Sequence, residues 1–219
     1  MRSRVARTLL DLVLPAMCGG CGRTGTPWCD ECAAALALAP IRVRPRTDPG
    51  VACWALGGYR GPGRRAVLAV KERGRRDLVV PLGAAMARGL ALLRTEGRLL
   101  VLVPAPSRRA AARRRGGDPV LRAASAAGRS LANCRVAPIL SLSRGVRDSV
   151  GLNSAERARN LRGRVRLDPR VYSGHQAAAN AEIVLIDDVL TTGATAAESV
   201  GALTRAGLAV SGVLVICAV

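Results

Sequence analysis

Residues Ile183–Thr195 read IVLIDDVLTTGAT. Their first four side chains are apolar and rich in β-branching, the composition of a short strand buried on both faces of a parallel sheet. The pattern predicts that this strand ends at Asp187 and Asp188, the sheet edge at which open α/β folds bind their ligands. Val189 and Leu190 lead into a turn, Thr191 to Thr195, and helical spacing resumes from Ala196 to about Arg205.

The turn has the chemistry of an anion cradle. Gly193 lets the backbone approach a ligand, the hydroxyls of Thr191, Thr192 and Thr195 donate, and Ala194 leads into a helix N-terminus with unpaired N–H groups. A phosphate in the turn and two carboxylates beside it describe a ligand with a phosphate at one end and hydroxyls near it. A ribose 5-phosphate fits. The plainer alternative is a capped turn with incidental acids.

Length and composition bound the rest. A chain of 219 residues holds one α/β domain and a small appendage. Its 34 basic residues against 15 acidic ones leave a net charge of +19, and Lys71 is the only lysine. Such an excess favours a polyanionic partner such as nucleic acid. Abundant Arg and Ala with no Phe also fits a GC-rich coding sequence, the lesser of the two readings. Trp28, Trp54, Tyr59 and Tyr172 are the only aromatic residues, so a single-strand binder of this composition relies on arginine for phosphate contact and planar stacking. No segment reaches the ~20 apolar residues of a membrane span. The N-terminal MRSRVARTLLDLVLPAMC imitates a signal peptide, but Asp11 and Pro15 interrupt it and the Ala-x-Ala cleavage pattern is missing. A cytoplasmic location is expected.

Along the chain, residues 5–14 have the spacing of an amphipathic helix. Cys18-Gly-Gly-Cys21 and Cys29-Asp-Glu-Cys32 follow, seven residues apart. Two such knuckles present four thiolates to one tetrahedral ion, with zinc the default, an iron site the rival and two disulfides the third option. Four thiolates leave no open coordination position, so the expected role is structural. Cys53, Cys134 and Cys217 read as buried apolar residues. Residues 40–50, with Pro45 and Pro49, read as a linker. An extended segment is expected over 51–59, a turn at Gly61-Pro62-Gly63, and helices over 64–72 and 78–94. These boundaries divide the chain into a helix and four-cysteine knuckle at 1–39, the linker, and an α/β domain at 51–219.

A second apolar strand, 99–103, runs into Pro104-Ala105-Pro106-Ser107-Arg108-Arg109, a second anion site on the same edge. Arg109, Arg113, Arg114 and Arg115 crowd one helical stretch after it, and a further basic region includes Arg157. Both are candidate nucleic-acid contacts, weighed against ordinary solvated faces. One strand is expected over 136–142 and a last over 210–219. The single histidine, His175, reads as an exposed loop residue.

The Ile183–Thr195 stretch resembles the phosphoribosyl pyrophosphate (PRPP) motif of type I phosphoribosyltransferases. The resemblance implies that Asp187 and Asp188 hold the ribose hydroxyls, that Thr191, Thr192, Gly193, Ala194 and Thr195 hold the 5-phosphate, and that Ala105, Pro106, Ser107 and Arg108 receive pyrophosphate with Mg2+. More of the chain is similar to the ComF family: the four-cysteine knuckle, Tyr59-Arg-Gly-Pro through Val70-Lys71-Glu-Arg-Gly, Leu82-Gly83, the Val103–Ser107 loop, Arg115-Gly116, and Leu152-x-x-x-Glu156-Arg157-x-x-Asn160. Two positions depart from it. Arg115-Gly116-Gly117-Asp118-Pro119 stands where the family writes RGFNQ, and Ser149 replaces a glutamine. The implied fold is α/β, a type I phosphoribosyltransferase-like parallel sheet flanked by helices behind a small zinc-knuckle subdomain. The implied function is DNA uptake in natural transformation, with PRPP, single-stranded DNA and a helicase-like competence protein as partners. An active transferase acting on a base or amine, and a PRPP-sensing scaffold, are the other two readings.

Overall fold

The computed structural model describes residues 16–107, 112–113, 116–143, 156, 161–168 and 181–219. The strands are β1 (Ile41–Val43), β2 (Cys53–Gly58), β3 (Leu100–Pro104), β4 (Cys134–Val136), β5 (Leu140–Leu142), β6 (Val165–Leu167), β7 (Glu182–Leu190) and β8 (Val210–Ala218). Helix α1 (Asp30–Ala35) precedes them, and α2 (Gly61–Glu72), α3 (Val79–Leu93), α4 (Pro119–Arg129) and α5 (Ala194–Arg205) lie between them. The main sheet runs β1-β2-β8-β7-β3-β4, and β5 and β6 form a separate antiparallel pair. Every pairing in the main sheet is parallel except β1 with β2.

Alternating side chains divide each inner strand between two cores, as the pleat requires. Leu100, Leu102, Val184, Ile186, Leu214 and Ile216 face one core with residues of α2, α3 and α4. Val101, Val103, Ile183, Leu185, Val213 and Val215 face the other, packed by α5 and the β5–β6 pair. Each such side chain contributes roughly 1.5–3 kcal/mol relative to exposure, so β7 is held from both sides and whatever its end carries is fixed in place. Helices α3 and α4 meet at Gly83, where a Cβ would lie 2.4 Å from that of Ala126. Only glycine allows that approach.

Four expectations change here. Strand β7 does not stop at the acids: its ladder with β8 continues through Asp187↔Val215 to Leu190↔Ala218. What stops there is its other neighbour, because the β3 register ends at Pro104↔Ile186. Asp187 and Asp188 therefore sit in a notch where one side of the sheet has ended and the other continues. The expected strand over 136–142 splits into β4 and β5 at Pro138, which has no N–H to extend a ladder. Gly61-Pro62-Gly63 is not a turn but the first turn of α2, a position that accepts proline. Residues 40–50 are more than a linker, since Ile41–Val43 pairs with β2 as the edge strand.

The helix expected over 5–14 lies outside the described residues. Among the described residues no helix is long and apolar enough to cross a membrane.

Candidate functional site

The notch opens into a cleft of about 550 Å³, within the range of ligand sites at roughly 300–1,000 Å³. Its walls include Asp187, Asp188 and the whole Thr191–Thr195 turn on one side, and Ala105, Pro106 and Ser107 on the other. The two segments read from the sequence as candidate anion sites thus line one cavity at the C-terminal edge of the parallel strands.

The turn is shaped by its own residues and by a brace behind it. Gly193 has φ +85° and ends the loop at the start of α5. A Cβ there would meet the Thr47 carbonyl and Pro45, so the position excludes side chains on both backbone and packing grounds. Thr47 N–H donates to the Thr192 carbonyl at 2.8 Å. The segment after β1 therefore props the outer wall of the cradle. Thr192 Oγ1 accepts from Ala194 N–H at 3.3 Å, while Thr191 is exposed at the mouth.

The acids differ from each other. Asp187 turns one oxygen back onto the Asp188 N–H at 2.8 Å. Burial, and then the charge of Asp188, push its carboxyl up to about 8 despite the opposing charge of Lys71. Asp188 is paired: its Oδ1 lies 2.8 Å from Lys71 Nζ. Burial pulls the Lys71 ammonium down, but the charges of Asp188 and Asp187 outweigh it and the net shift is upward. Lysine and Asp188 are thus an ion pair across the cleft floor.

Sequence reasoning did not place Lys71 in the site, although it is the chain's only lysine. It comes from the last turn of α2, far from the acids in sequence. Asp118 was also missed. One of its oxygens caps α4 by accepting from Val120 N–H at 2.9 Å and Leu121 N–H at 3.3 Å, and the other accepts from Ser107 Oγ at 2.6 Å. An Asp before Pro119 is a readable helix start. Here it also holds Ser107 and with it the Ala105–Ser107 loop. Tyr59 lines the cleft, and the Arg64 guanidinium stacks on its ring at 5.5 Å.

Of the candidate nucleic-acid contacts, Arg113 is exposed. Arg108, Arg109, Arg114, Arg115 and Arg157 lie outside the described residues, as do His175, Ser149 and most of the 152–160 block. Among the described residues that line the cleft, Lys71 is the only cation.

The second centre is the cysteine knuckle. The sulfurs of Cys18, Cys21, Cys29 and Cys32 all lie within 4.8 Å of one another, and all but Cys21 are buried. Cys18 and Cys21 each approach the Cys29 sulfur to 3.6 Å. That is far beyond a disulfide of about 2.05 Å and near the edge, about 3.8 Å, of a tetrahedron with Zn–S bonds of about 2.3 Å. The four cysteines could hold a metal ion such as zinc. Burial raises the Cys18 thiol, but N–H groups of Cys21, Cys29 and Gly20 directed at the sulfur bring it down to about 6, a thiolate ready to ligate. Cys53 and Cys217 are buried and unbridged, and Cys134 is partly buried.

The knuckle leans on the helix that carries Lys71. Arg65 donates to the Gly20 carbonyl, Arg75 to the Met17 carbonyl at 2.9 Å, and Gly19 packs on Leu78. No protein-family model matches the chain, and no curated protein matches it.

Proposed function

We propose that the cleft binds a ribose 5-phosphate ligand of the PRPP type with Mg2+, on a phosphoribosyltransferase-like fold related to the ComF proteins. The single observation that carries this reading is the convergence of three pieces on one cavity. These are the acid pair in the β7 notch, the threonine–glycine turn at the α5 N-terminus, and the Ala105–Ser107 loop held by Asp118. Each piece has a matching part of the ligand. The turn and helix N-terminus supply N–H and hydroxyl donors for the 5-phosphate. The carboxylates accept from ribose hydroxyls. The Ala105–Ser107 loop faces the other end, where the anionic pyrophosphate lies.

Magnesium, when bound with the ligand, neutralises pyrophosphate and improves it as a leaving group. The chain's own residues orient the ribose and hold its ends apart, catalysis by positioning if a base or amine acceptor enters the cleft. The net charge of +19 and exposed Arg113, Arg162, Arg164 and Arg166 support single-stranded DNA as the larger partner, in a DNA-uptake role. A working transferase is the second reading, favoured by the room left beside the acid pair in a cleft of about 550 Å³.

The test is calorimetric titration of PRPP with Mg2+ into the wild type and an Asp187→Asn/Asp188→Asn variant. Loss of a charge-assisted hydrogen bond at Asp188, about 1.5–3 kcal/mol, and of an ordinary one at Asp187, about 0.5–1.5 kcal/mol, predicts binding weaker by about thirtyfold or more. Equal binding by both proteins, or none by either, removes the ribose-phosphate reading and leaves DNA phosphates as the ligand to pursue. Pyrophosphate release across a panel of bases and amines then separates binding from transfer.

A further inference from the structure

Lys71 occupies a position the ribose-phosphate reading does not explain. A ligand whose hydroxyls need the carboxylates finds one of them already taken by an ammonium at 2.8 Å. The pair is neither buried nor free: the Lys71 side chain is 35% exposed and that of Asp188 13%. The lysine stem borders an apolar hollow formed by Val67, Val70, Leu82, Met86 and Val120. That hollow is closed to a charged group by its walls, since desolvating an unpaired ammonium there is costly. The ammonium thus has two favourable positions, on the acids or outward in the cleft.

The charges decide between them. In the empty floor the Asp188 carboxylate is already paired with the ammonium, and Asp187 turns one oxygen onto the Asp188 N–H. A free divalent cation must displace the ammonium from a carboxylate it already neutralises, and sends it outward with no phosphate there to receive it. A ligand that brings a phosphate changes the balance. Its hydroxyls or its cation take the carboxylates, and its phosphate oxygens take the ammonium.

We propose that Lys71 is the exchangeable counter-ion of the acid pair, closing Asp188 to free divalent cations and turning to the ligand's phosphate when a metal–phosphate ligand arrives. The closing stands on the ion pair alone, and the exchange rests on the ribose-phosphate reading above. Lys71 is then a specificity-determining residue that makes the site take metal and phosphate together.

The experiment uses the full chain with its knuckle metal in place. Mn2+ alone is titrated into wild type, Lys71→Met and Lys71→Arg, followed by electron paramagnetic resonance. The apolar variant should bind Mn2+ at least about tenfold more tightly than wild type, and the arginine variant should match wild type, because the charge and not the stem blocks the metal. Unchanged Mn2+ affinity in Lys71→Met overturns the closing.

The exchange is read in the wild type, where isotope-labelled lysine gives a single side-chain resonance because the chain has one lysine. That resonance should move on addition of Mg2+ with PRPP and stay still with Mg2+ alone. A resonance that moves with Mg2+ alone overturns the closing even if the Met variant does not fold. One that stays still while calorimetry shows PRPP binding overturns the exchange. Absence of PRPP binding to wild type overturns the ribose-phosphate reading and the exchange with it, while the Mn2+ comparison still decides the closing.

Discussion

The cysteine knuckle and the cleft are both built around a short motif, yet they are assembled in opposite ways. The knuckle draws all four sulfurs from residues 18–32, and two tight turns bring them within 4.8 Å. Among the described residues, no side chain outside that stretch joins the cluster. The cleft takes its acids and turn from β7 and α5, its cation from α2, its opposing loop from the end of β3, its fastening from Asp118 and its brace from residues 45–47. A local closure encodes its geometry in spacing. A site gathered from six places encodes only the parts that happen to be contiguous.

The largest effect should come from breaking the knuckle, and it also tests whether the two regions are independent. Cys18→Ser/Cys29→Ser should remove about one metal ion per chain, as metal analysis would show. Structural zinc supplies on the order of 10 kcal/mol in isolated finger peptides. Loss of even a third of that lowers the melting temperature of a chain this size by about 10 °C. Because Arg65 and Arg75 tie the knuckle backbone to α2 and its junction with α3, affinity for PRPP should fall in the same variant. Unaltered affinity in a knuckle-free but folded chain would show that α2 holds Lys71 without help.

The same contrast explains what the sequence made legible. The IVLIDD run announced a buried parallel strand with acids toward its C-terminal edge, and the strand is there, though it runs on past the acids to Leu190. The paired CxxC motifs announced a tetrahedral thiolate cluster, and the sulfurs are grouped. Lys71 was visible as the chain's only lysine, but its pairing with Asp188 depends on how α2 packs beside β7, which no local pattern carries. Residues 40–50 looked like a linker because prolines and arginines hide a three-residue strand whose pairing is with β2. Asp118 looked like a departure from the ComF pattern, whereas its position before Pro119 marks a helix cap. Pro138 was another missed signal that needed no tertiary knowledge: with no N–H to donate, it weighs against the single strand expected over 136–142.

A smaller effect should separate the acid pair from the rest of the molecule by pH. Burial and the neighbouring Asp188 charge push the Asp187 carboxyl up from its ordinary 3.8 to about 8. Between those limits the native state holds a proton that the unfolded chain has lost. Stability therefore falls as pH rises through this window and levels off above it, with a slope for one proton of at most about 1.4 kcal/mol per pH unit. Urea midpoints of wild type and Asp187→Asn across this range isolate the contribution, since cysteine and other titrations are common to both. A variant with the same pH slope as wild type would mean that Asp187 ionises normally and that the acid floor carries an extra negative charge.

The smallest effect probes how the cleft's two walls are joined. Asp118 serves α4 with one oxygen and Ser107 with the other. Replacing it with Ala removes an N-cap, a loss of about 1 kcal/mol, and frees Ser107 while Ala105 N–H keeps its bond to the Ile186 carbonyl. Asp118→Asn keeps an acceptor for the Val120 and Leu121 amides and offers its NH2 group to Ser107 Oγ, so it should retain most of both. If Asp118 only caps the helix, Ala lowers stability slightly and leaves PRPP affinity alone. If it also sets the loop, Ala weakens PRPP binding by more than the stability loss predicts, because the anion end of the ligand meets a wall that must be ordered on binding. Calorimetry and thermal melting on the two variants distinguish these outcomes. Equal affinity in wild type and Asp118→Ala would detach the Ala105–Ser107 loop from the site and leave the β7 notch and its turn as the whole of the binding surface.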